Sequence, residues 1–274
     1  MNAFTNNAFI AHFAFEFRSG IRNKNLLLMN YLFPLGLYVM MSLIMPSVNP
    51  LFRESIIPSM ITFGMLAAAL LGLPDPLVQA REAGIFRSFK INGVPALNIL
   101  LIPALSTILH ILVVAAIITV TAPIFFDAPP PQNLAAFALI VLAAAVALSG
   151  LGVLIGVIAP NARLTVLYSQ ALFLPSMIIG GVMLPFNMLP PVAAKVAMLL
   201  PSTYAMNGFN GLAVGGTAEF HAWGGVLTLF AGGLTAFILA WYLFRWDSQN
   251  AGRRGHPALA LLALVPYAAW ILFV

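Results

Sequence analysis

Seven long apolar runs, separated by short polar or proline-rich breaks, make up most of the chain. They cover residues 26–46, 56–73, 97–126, 134–158, 165–184, 223–244 and 257–274. An α-helix needs about 20 apolar residues to cross the hydrocarbon core of a bilayer, so the first six runs predict six transmembrane helices. The seventh run contains Pro257 and Pro266. It fits either a seventh span or an extra apolar helix that lies in the interface or in a groove.

The breaks between the runs hold turn-forming residues. Asn49-Pro50, Pro74-Asp75-Pro76, residues 127–131 and Pro160-Asn161 each separate two runs and predict loops. The longest break, residues 185–220, has four prolines but only one Lys and one Glu. It is too apolar for water and too broken to span, so it predicts a re-entrant helical hairpin between the fifth and sixth helices, on the external side. A plain external loop is the alternative.

The segment before the first run, residues 9–24, has a helical period. One stripe is polar and consists of His12, Glu16, Ser19 and Asn23, and the opposite face is apolar and consists of Phe9, Ile10, Phe13, Phe17 and Ile21. This pattern is typical of a helix that lies flat in the membrane interface. A frayed extension of the first transmembrane helix is the alternative.

Composition agrees with a membrane protein and excludes a soluble one. Of 274 residues, 62% are hydrophobic and 7% are charged, with a mean hydropathy of +1.01, whereas about 25% of residues are charged in ordinary soluble domains. We therefore expect an all-α polytopic membrane protein that forms a single transmembrane domain over residues 1–274. Cysteine is absent, which excludes disulfides and thiolate chemistry.

The basic residues predict the orientation of the chain. Alternating loops place ten of the twelve on one side, Arg18, Arg22, Lys24, Arg81, Arg87, Lys90, Arg163, Arg245, Arg253 and Arg254, and leave Arg53 and Lys195 on the other. Because basic loops stay in the cytoplasm, we expect a cytoplasmic N-terminus in a bacterial-type cell membrane. The net charge of +5 is explained by these cytoplasmic basic residues, so it does not indicate a nucleic-acid partner.

Titratable side chains are rare inside the predicted membrane helices. The first six runs contain no Asp, Glu, Lys or Arg, and His110 is the one histidine within them. We favour a neutral histidine that is hydrogen-bonded to a neighbouring helix over a ligand or proton site. The sequence has no P-loop and no hydrolase motif, so we expect no catalytic residue, no metal site, and no enzyme activity in this chain.

The segment 79–92 interleaves charged and large apolar side chains, among them Glu82, Phe86 and Lys90. It predicts a short cytoplasmic helix that docks in a groove on a soluble partner. A solvated loop that only anchors the topology is the alternative.

This segment resembles the permease subunits of the ABC type-2 exporter family. Glu82-Ala83-Gly84, then Ile85, Phe86, Arg87 and Phe89, and the turn Gly93-Val94-Pro95 follow the family pattern, although Ile85 and Arg87 stand where the family often has Thr and Glu. A second resemblance follows the fifth run, in Gly180-Gly181, Met183-Leu184-Pro185, Met188-Leu189-Pro190 and the stretch Leu200-Pro201-Ser202-Thr203-Tyr204. Together with the flat N-terminal helix and the order of six apolar runs, these segments extend the resemblance over about residues 9–244.

The resemblance implies a permease of an ATP-driven exporter for a hydrophobic, amphipathic or lipid-like substrate, such as a drug or a lipid. It implies a second permease subunit, identical or homologous, contact with membrane lipid, and an ATP-binding cassette subunit that holds ATP and Mg²⁺, with no cofactor on this chain. Contact with that subunit is implied for Arg81, Glu82, Gly84, Ile85, Phe86, Arg87, Phe89 and Lys90. By family analogy the pathway lies between two permeases, with Ser59, Thr62, Phe63, Met65, Phe173, Met177 and Met183 as candidates for its lining.

Two other functions remain open on the sequence. One is a secondary transporter or channel that works without ATP. The other is a structural or assembly protein of the membrane that carries no substrate.

Overall fold

The structure, a computed structural model, describes residues 2–49, 52–247 and 255–271, and within them it has helices and no strand. The elements in chain order are α1 Asn2–Arg22, α2 Lys24–Val48, α3 Phe52–Glu82, α4 Ile85–Ile91, α5 Ala96–Phe126, α6 Leu134–Ile158, α7 Ala162–Ile178, α8 Pro191–Ala197, α9 Pro201–Gly208, α10 Ala222–Leu243, and a C-terminal segment formed by the 3₁₀ helix Pro257–Leu264 and α11 Val265–Ile271. This confirms an all-α polytopic membrane protein.

Five helices, α2, α3, α5, α6 and α10, are long and apolar enough to cross a membrane, and they coincide with five of the six predicted runs. The remaining run, 165–184, is helical only as far as Ile178. The helix that it forms, α7, has 17 residues, which is the lower limit for a span. It ends early because Gly180 and Gly181 follow, and Gly181 adopts a positive φ of 86°, a conformation that terminates helices.

Three asparagines fix where helices begin. The side-chain oxygens of Asn23, Asn133 and Asn161 accept hydrogen bonds from backbone N–H groups in the first turn of the following helix, as N-cap residues do. The predicted breaks at residues 127–131 and at Pro160-Asn161 are therefore confirmed as interruptions between helices.

The loop predicted at Pro74-Asp75-Pro76 is wrong. A π-helical turn over Ala67–Gly72 and a bend at Leu73 precede a new helical stretch that begins at Pro74 and continues to Glu82. Proline is tolerated there because the first turn of a helix leaves its N–H groups without intrahelical partners. The apolar run and the first residues of segment 79–92 thus belong to one long element, α3.

The α3 helix lies at the centre of the bundle and is almost entirely buried. Small residues let its neighbours approach closely, as in other membrane helix packings. Gly152 of α6 lies against the backbone of Ala69, and a side chain at Gly150 of α6 would come within 2.7 Å of the carbonyl oxygen of Gly233 in α10. The pair α6 and α10 packs backbone to backbone for the same reason.

The α1 helix packs along the first half of α5 and against α4. The Phe17 ring stacks on the His110 ring, with 4.4 Å between their centroids and 7° between their planes. The ring of His12 contacts that of Phe89 in α4, with centroids 5.6 Å apart. These contacts make α1 a helix of its own, separated from α2 at Asn23. Its predicted position in the membrane interface stays a prediction.

The 185–220 segment forms a broken pair of helices, α8 and α9, preceded by the 3₁₀ turn Phe186–Met188. Every residue of α9 is buried, whereas α8 is largely exposed. Asn207 of α9 holds the loop that follows it, because its side-chain oxygen accepts from the N–H groups of Glu219 and Phe220 and its amide donates to the Phe220 carbonyl. We call residues 185–220 the hairpin segment.

The C-terminal segment packs against α10 and α9 over its described residues. Tyr267 is fully buried against Gly232 of α10, where any side chain larger than hydrogen would collide with it. The Tyr204 hydroxyl lies 2.8 Å from the Met198 backbone oxygen, to which it donates, and 3.2 Å from that of Tyr267. A seventh span and a helix in the interface or in a groove both stay predictions. Residues 272–274 of the predicted run lie outside the described residues.

Candidate functional site

The end of the bundle that carries α4, called the α4 end below, contains the eight residues for which the sequence implies contact with a partner. Arg81 is buried, and its guanidinium donates hydrogen bonds to the carbonyl oxygens of Gly156, Val157 and Ala159. These carbonyls lie at the end of α6, where a helix leaves its last C=O groups without partners and favours a positive charge. Arg81 therefore joins α3 to α6.

Phe86 is the residue that holds α4 to the bundle. Its side chain is buried, and its ring lies 5.6 Å from that of Phe244, just beyond α10. Arg87, two-fifths buried, pairs with Asp247 in the same region. Gly84 has a φ of 74°, which gives the sharp turn between α3 and α4. Phe89 is half-buried against His12.

The other members of the set are exposed. Glu82 and Lys90 are exposed and Ile85 is 45% exposed at the rim of the second cavity described below, so these residues offer both charges and one large apolar side chain. A docking partner at α4 would meet these three residues together with the Arg87 guanidinium, while Arg81 and Phe86 support the helix from behind.

The seven pathway candidates are divided between the core and one cavity. Thr62, Phe63 and Met65 are fully buried in α3, and the Phe63 ring contacts that of Phe173 at 6.0 Å. The Thr62 hydroxyl donates to the sulfur of Met206 at 3.5 Å. Half-buried Met177 lines a narrow gap beside Phe63. Only Ser59 and exposed Met183 reach the large cavity described next.

A cavity of about 600 Å³ lies between the hairpin segment and the start of α3, and we call it the hairpin cavity. Its apolar wall includes Met183, Phe186 and Met206, and its polar wall includes Glu54 and Glu219. Ser59 is 1% exposed, and its hydroxyl has no hydrogen-bond partner within the described part of the chain. The lining of the cavity thus combines thioether and aromatic side chains with two carboxylates.

A second cavity, of about 220 Å³, lies at the α4 end between α1, α2, α3, α4 and α5, and we call it the α4 cavity. Its polar wall consists of His12, Glu16, Ser19, Asn23, Asn30, Ser106, Thr107 and His110, and Ile85, Phe86 and Phe89 contribute an apolar wall. Burial raises the pKa of the Glu16 carboxyl and lowers the pKa of the His12 imidazole. Neither shift has a charged partner as its cause.

His110 is buried at the junction of α1, α2 and α5. The hydroxyl of Tyr31 is 2.6 Å from its Nδ1, and its Nε2 lies against Gly20, where α1 has no side chain. The hydrogen bond to a neighbouring helix is the arrangement that the sequence favoured for this histidine. Within the described residues, no group of three or more His, Asp or Glu is arranged to hold a metal ion.

Comparison with protein families identifies the chain. The family model described as "ABC-2 type transporter" matches residues 7–213, about three quarters of the chain. The chain belongs to the ABC-2 type transporter family. The match ends at the π-helical turn Phe209–Ala213, which follows α9. The α10 helix and the C-terminal segment therefore lie beyond the matched region. No curated protein and no solved structure matches the chain.

Membership makes this ABC-2 transporter chain a multi-pass permease subunit, a component of membrane transport whose family acts with an ATP-binding subunit. Sequence reasoning identified α4 but missed both cavities of the transporter. Glu54, Asn207 and Glu219 are separated in sequence and meet only through the fold. The signal that was available is that Glu219 is the one acidic residue of a segment otherwise too apolar for water.

Proposed function

We propose that this chain is the permease of an ATP-driven exporter and works as a pair of permeases with two ATP-hydrolysing subunits. ATP and Mg²⁺ are held by those subunits, and α4, with the cytoplasmic N-terminal helix beside it, transmits their closure to the bundle in a bacterial-type cell membrane. The whole chain acts as a single permease domain. The substrate is an amphipathic or lipid-like compound, and the drug or lipid class is the expected one.

The observation that carries the proposal is the construction of α4. A seven-residue helix that presents Ile85 and Lys90 while Phe86 is buried beneath it is held rigidly enough to transmit the movement of a partner. Exposed Glu82 stands at the end of α3, just before this helix. A loop that only anchored the topology would need no buried aromatic residue. The hairpin cavity supports the substrate class, because its Met and Phe side chains adapt to apolar bodies of varied shape and its carboxylates suit a polar end.

The test uses the permease purified with its ATP-binding subunit and reconstituted in vesicles. We expect transport of a fluorescent amphipathic dye to require hydrolysable ATP, and an imposed proton or sodium gradient without ATP to drive none. Dye transport driven by the gradient alone would instead establish the secondary transporter, and a complex with no transport under either condition would favour a structural protein.

A substitution on α4 tests the coupling surface separately. Ile85→Ser removes the exposed apolar side chain, and we expect it to lower dye transport and the stimulation of ATP hydrolysis at least fivefold while leaving the unfolding temperature unchanged. Val196→Ser, at an equally exposed position of α8, is the matched control. Equal effects of the two changes would contradict docking at α4.

A further inference from the structure

The α4 cavity is lined by polar side chains that make no hydrogen bond within the described part of the chain. Asn30, Ser106 and Thr107 are residues less than 7% exposed, and none of their side chains makes a hydrogen bond to any residue that the structure describes. All three line the cavity. A polar group that faces such a cavity takes its hydrogen-bond partner from what fills the cavity, which is water or a polar ligand.

The cavity contains an acidic side chain without a basic partner. Glu16 is the one residue of its lining with a carboxyl group, and within the described residues no basic side chain forms an ion pair with it. His12 also lines the cavity, and burial lowers the pKa of its imidazole, which disfavours a positive charge there. An anion would therefore meet a carboxylate with no compensating cation, whereas a cation would be stabilised.

The walls favour an organic cation over a metal ion. His12, Glu16 and His110 line the cavity but do not converge as a metal site within the described chain. The rings of Phe15, Phe86 and Phe89 line it as well, and aromatic faces attract ammonium groups. The volume of about 220 Å³ is below the usual range for a drug-sized ligand, so it suits a small head group.

The rim of the cavity is apolar and accessible. Phe15 is 68% exposed and Ile85 is 45% exposed, and both contribute to the lining. A hydrocarbon tail that left the cavity could lie along these side chains. The ligand can therefore be a free amine or the amine end of a membrane lipid.

We propose that the α4 cavity is a binding site for a small organic ammonium group, with Glu16 as its counter-ion and Asn30, Ser106 and Thr107 as hydrogen-bond acceptors. The site is separate from the hairpin cavity. It includes side chains of α1 and α4, so a bound ammonium bridges the N-terminal helix and the coupling helix.

The test measures binding to the full-length chain in nanodiscs of phosphatidylglycerol, by the shift in unfolding temperature. Ethanolamine is the probe, and ethylene glycol is its neutral analogue of the same size. A second arm replaces part of the lipid with phosphatidylethanolamine and measures lipid retention by native mass spectrometry. We expect at least one of the two amines to bind and ethylene glycol not to bind.

Two variants assign the binding to the cavity. Glu16→Gln should weaken amine binding at least tenfold, and Asp75→Asn, which removes a carboxylate outside the cavity, should not. Ser19→Leu, at a half-buried position of α1, should fill the cavity and abolish binding with the charge retained.

The outcomes separate the two sources. A response to ethanolamine supports the site with a free amine, and a response to phosphatidylethanolamine alone supports it with a lipid head group. No response to either amine, or equal responses in the wild type and Glu16→Gln, would overturn the proposal. The wild type needs neither transport nor a partner subunit for this measurement, so failure of the exporter assignment would leave the result unaffected.

Discussion

The α4 cavity and the hairpin cavity differ in how the protein treats the polar groups that line them. In the α4 cavity the hydrogen-bonding side chains of Asn30, Ser106 and Thr107 are buried. In the hairpin cavity the two carboxylates, Glu54 and Glu219, are exposed, and Met and Phe side chains line the same cavity. The first arrangement suits a ligand held in one geometry, and the second suits ligands of varied shape that bind and leave.

The two ends also differ in what fixes their shape. At the α4 end a charged side chain, Arg81, holds the end of α6 in place. At the end of the bundle that carries the hairpin segment, the neutral side chain of Asn207 holds the loop around Glu219. Hydrogen bonds that involve a charged group are about twice as strong as neutral ones. The α4 end should therefore be the more rigid of the two, which the following substitutions test.

The largest expected effect is that of Arg81→Met. The change leaves carbonyl oxygens at the end of α6 without their charged donor, and hydrogen bonds to charged groups contribute about 1.5–3 kcal/mol each, so we expect a loss of at least ~3 kcal/mol in the free energy of unfolding. Arg163→Met, at an exposed position of α7, is the control. Thermal unfolding in detergent measures both, and equal unfolding temperatures would show that the α4 end does not depend on Arg81.

Asn207→Ala should have the next largest effect, and at the other end. Loss of its three hydrogen bonds, of 2.7 to 3.2 Å, should lower the free energy of unfolding by ~2 kcal/mol and release the loop around Glu219. We expect faster proteolysis of that loop, measured with a non-specific protease. Asn210→Ala is the matched control, because Asn210 lines the same cavity and makes no hydrogen bond through its side chain to the described residues. Unchanged proteolysis would contradict the fastening role.

How much of this could be predicted from the sequence depends on the range of the interaction. The apolar runs gave five long helices because the length of a span is a local property. The central position of α3 could not be derived, since α2 is also apolar and yet is largely exposed, and lipid and protein core select the same residue types. The polar stripe of α1 was visible, but the cavity that it lines together with Asn30 and Ser106 depends on packing between distant segments.

Glu16→Gln should stabilise the protein in a pH-dependent way. Because burial raises the pKa of the Glu16 carboxyl above its usual value of 4.5, the fold favours the neutral acid. The unfavourable contribution of the charged form is absent below that value and grows as the pH rises through the pKa of the folded state. In detergent without amine, we expect the variant to unfold a degree or two above the wild type near pH 8. That difference should vanish near pH 4, and Asp75→Asn should show no such trend. A lower unfolding temperature of the variant at pH 8 would mean that the charged form already has a partner.

The smallest effect on stability is expected for the double change Glu54→Gln and Glu219→Gln, because both side chains are exposed and surface substitutions of this kind change little. The effect should lie in selectivity. A cationic amphipathic dye loses two counter-ions in the hairpin cavity, while a neutral dye of similar size keeps its contacts with Met183, Phe186 and Met206. In vesicles with the complete complex, we therefore expect transport of the cationic dye to fall several-fold and that of the neutral dye to stay within twofold. Gln keeps the size and polarity of Glu, so an equal fall for both dyes would indicate a change of shape rather than of charge. If neither dye is affected, the substrate does not pass through this cavity, and the contrast between the two ends would concern structure alone.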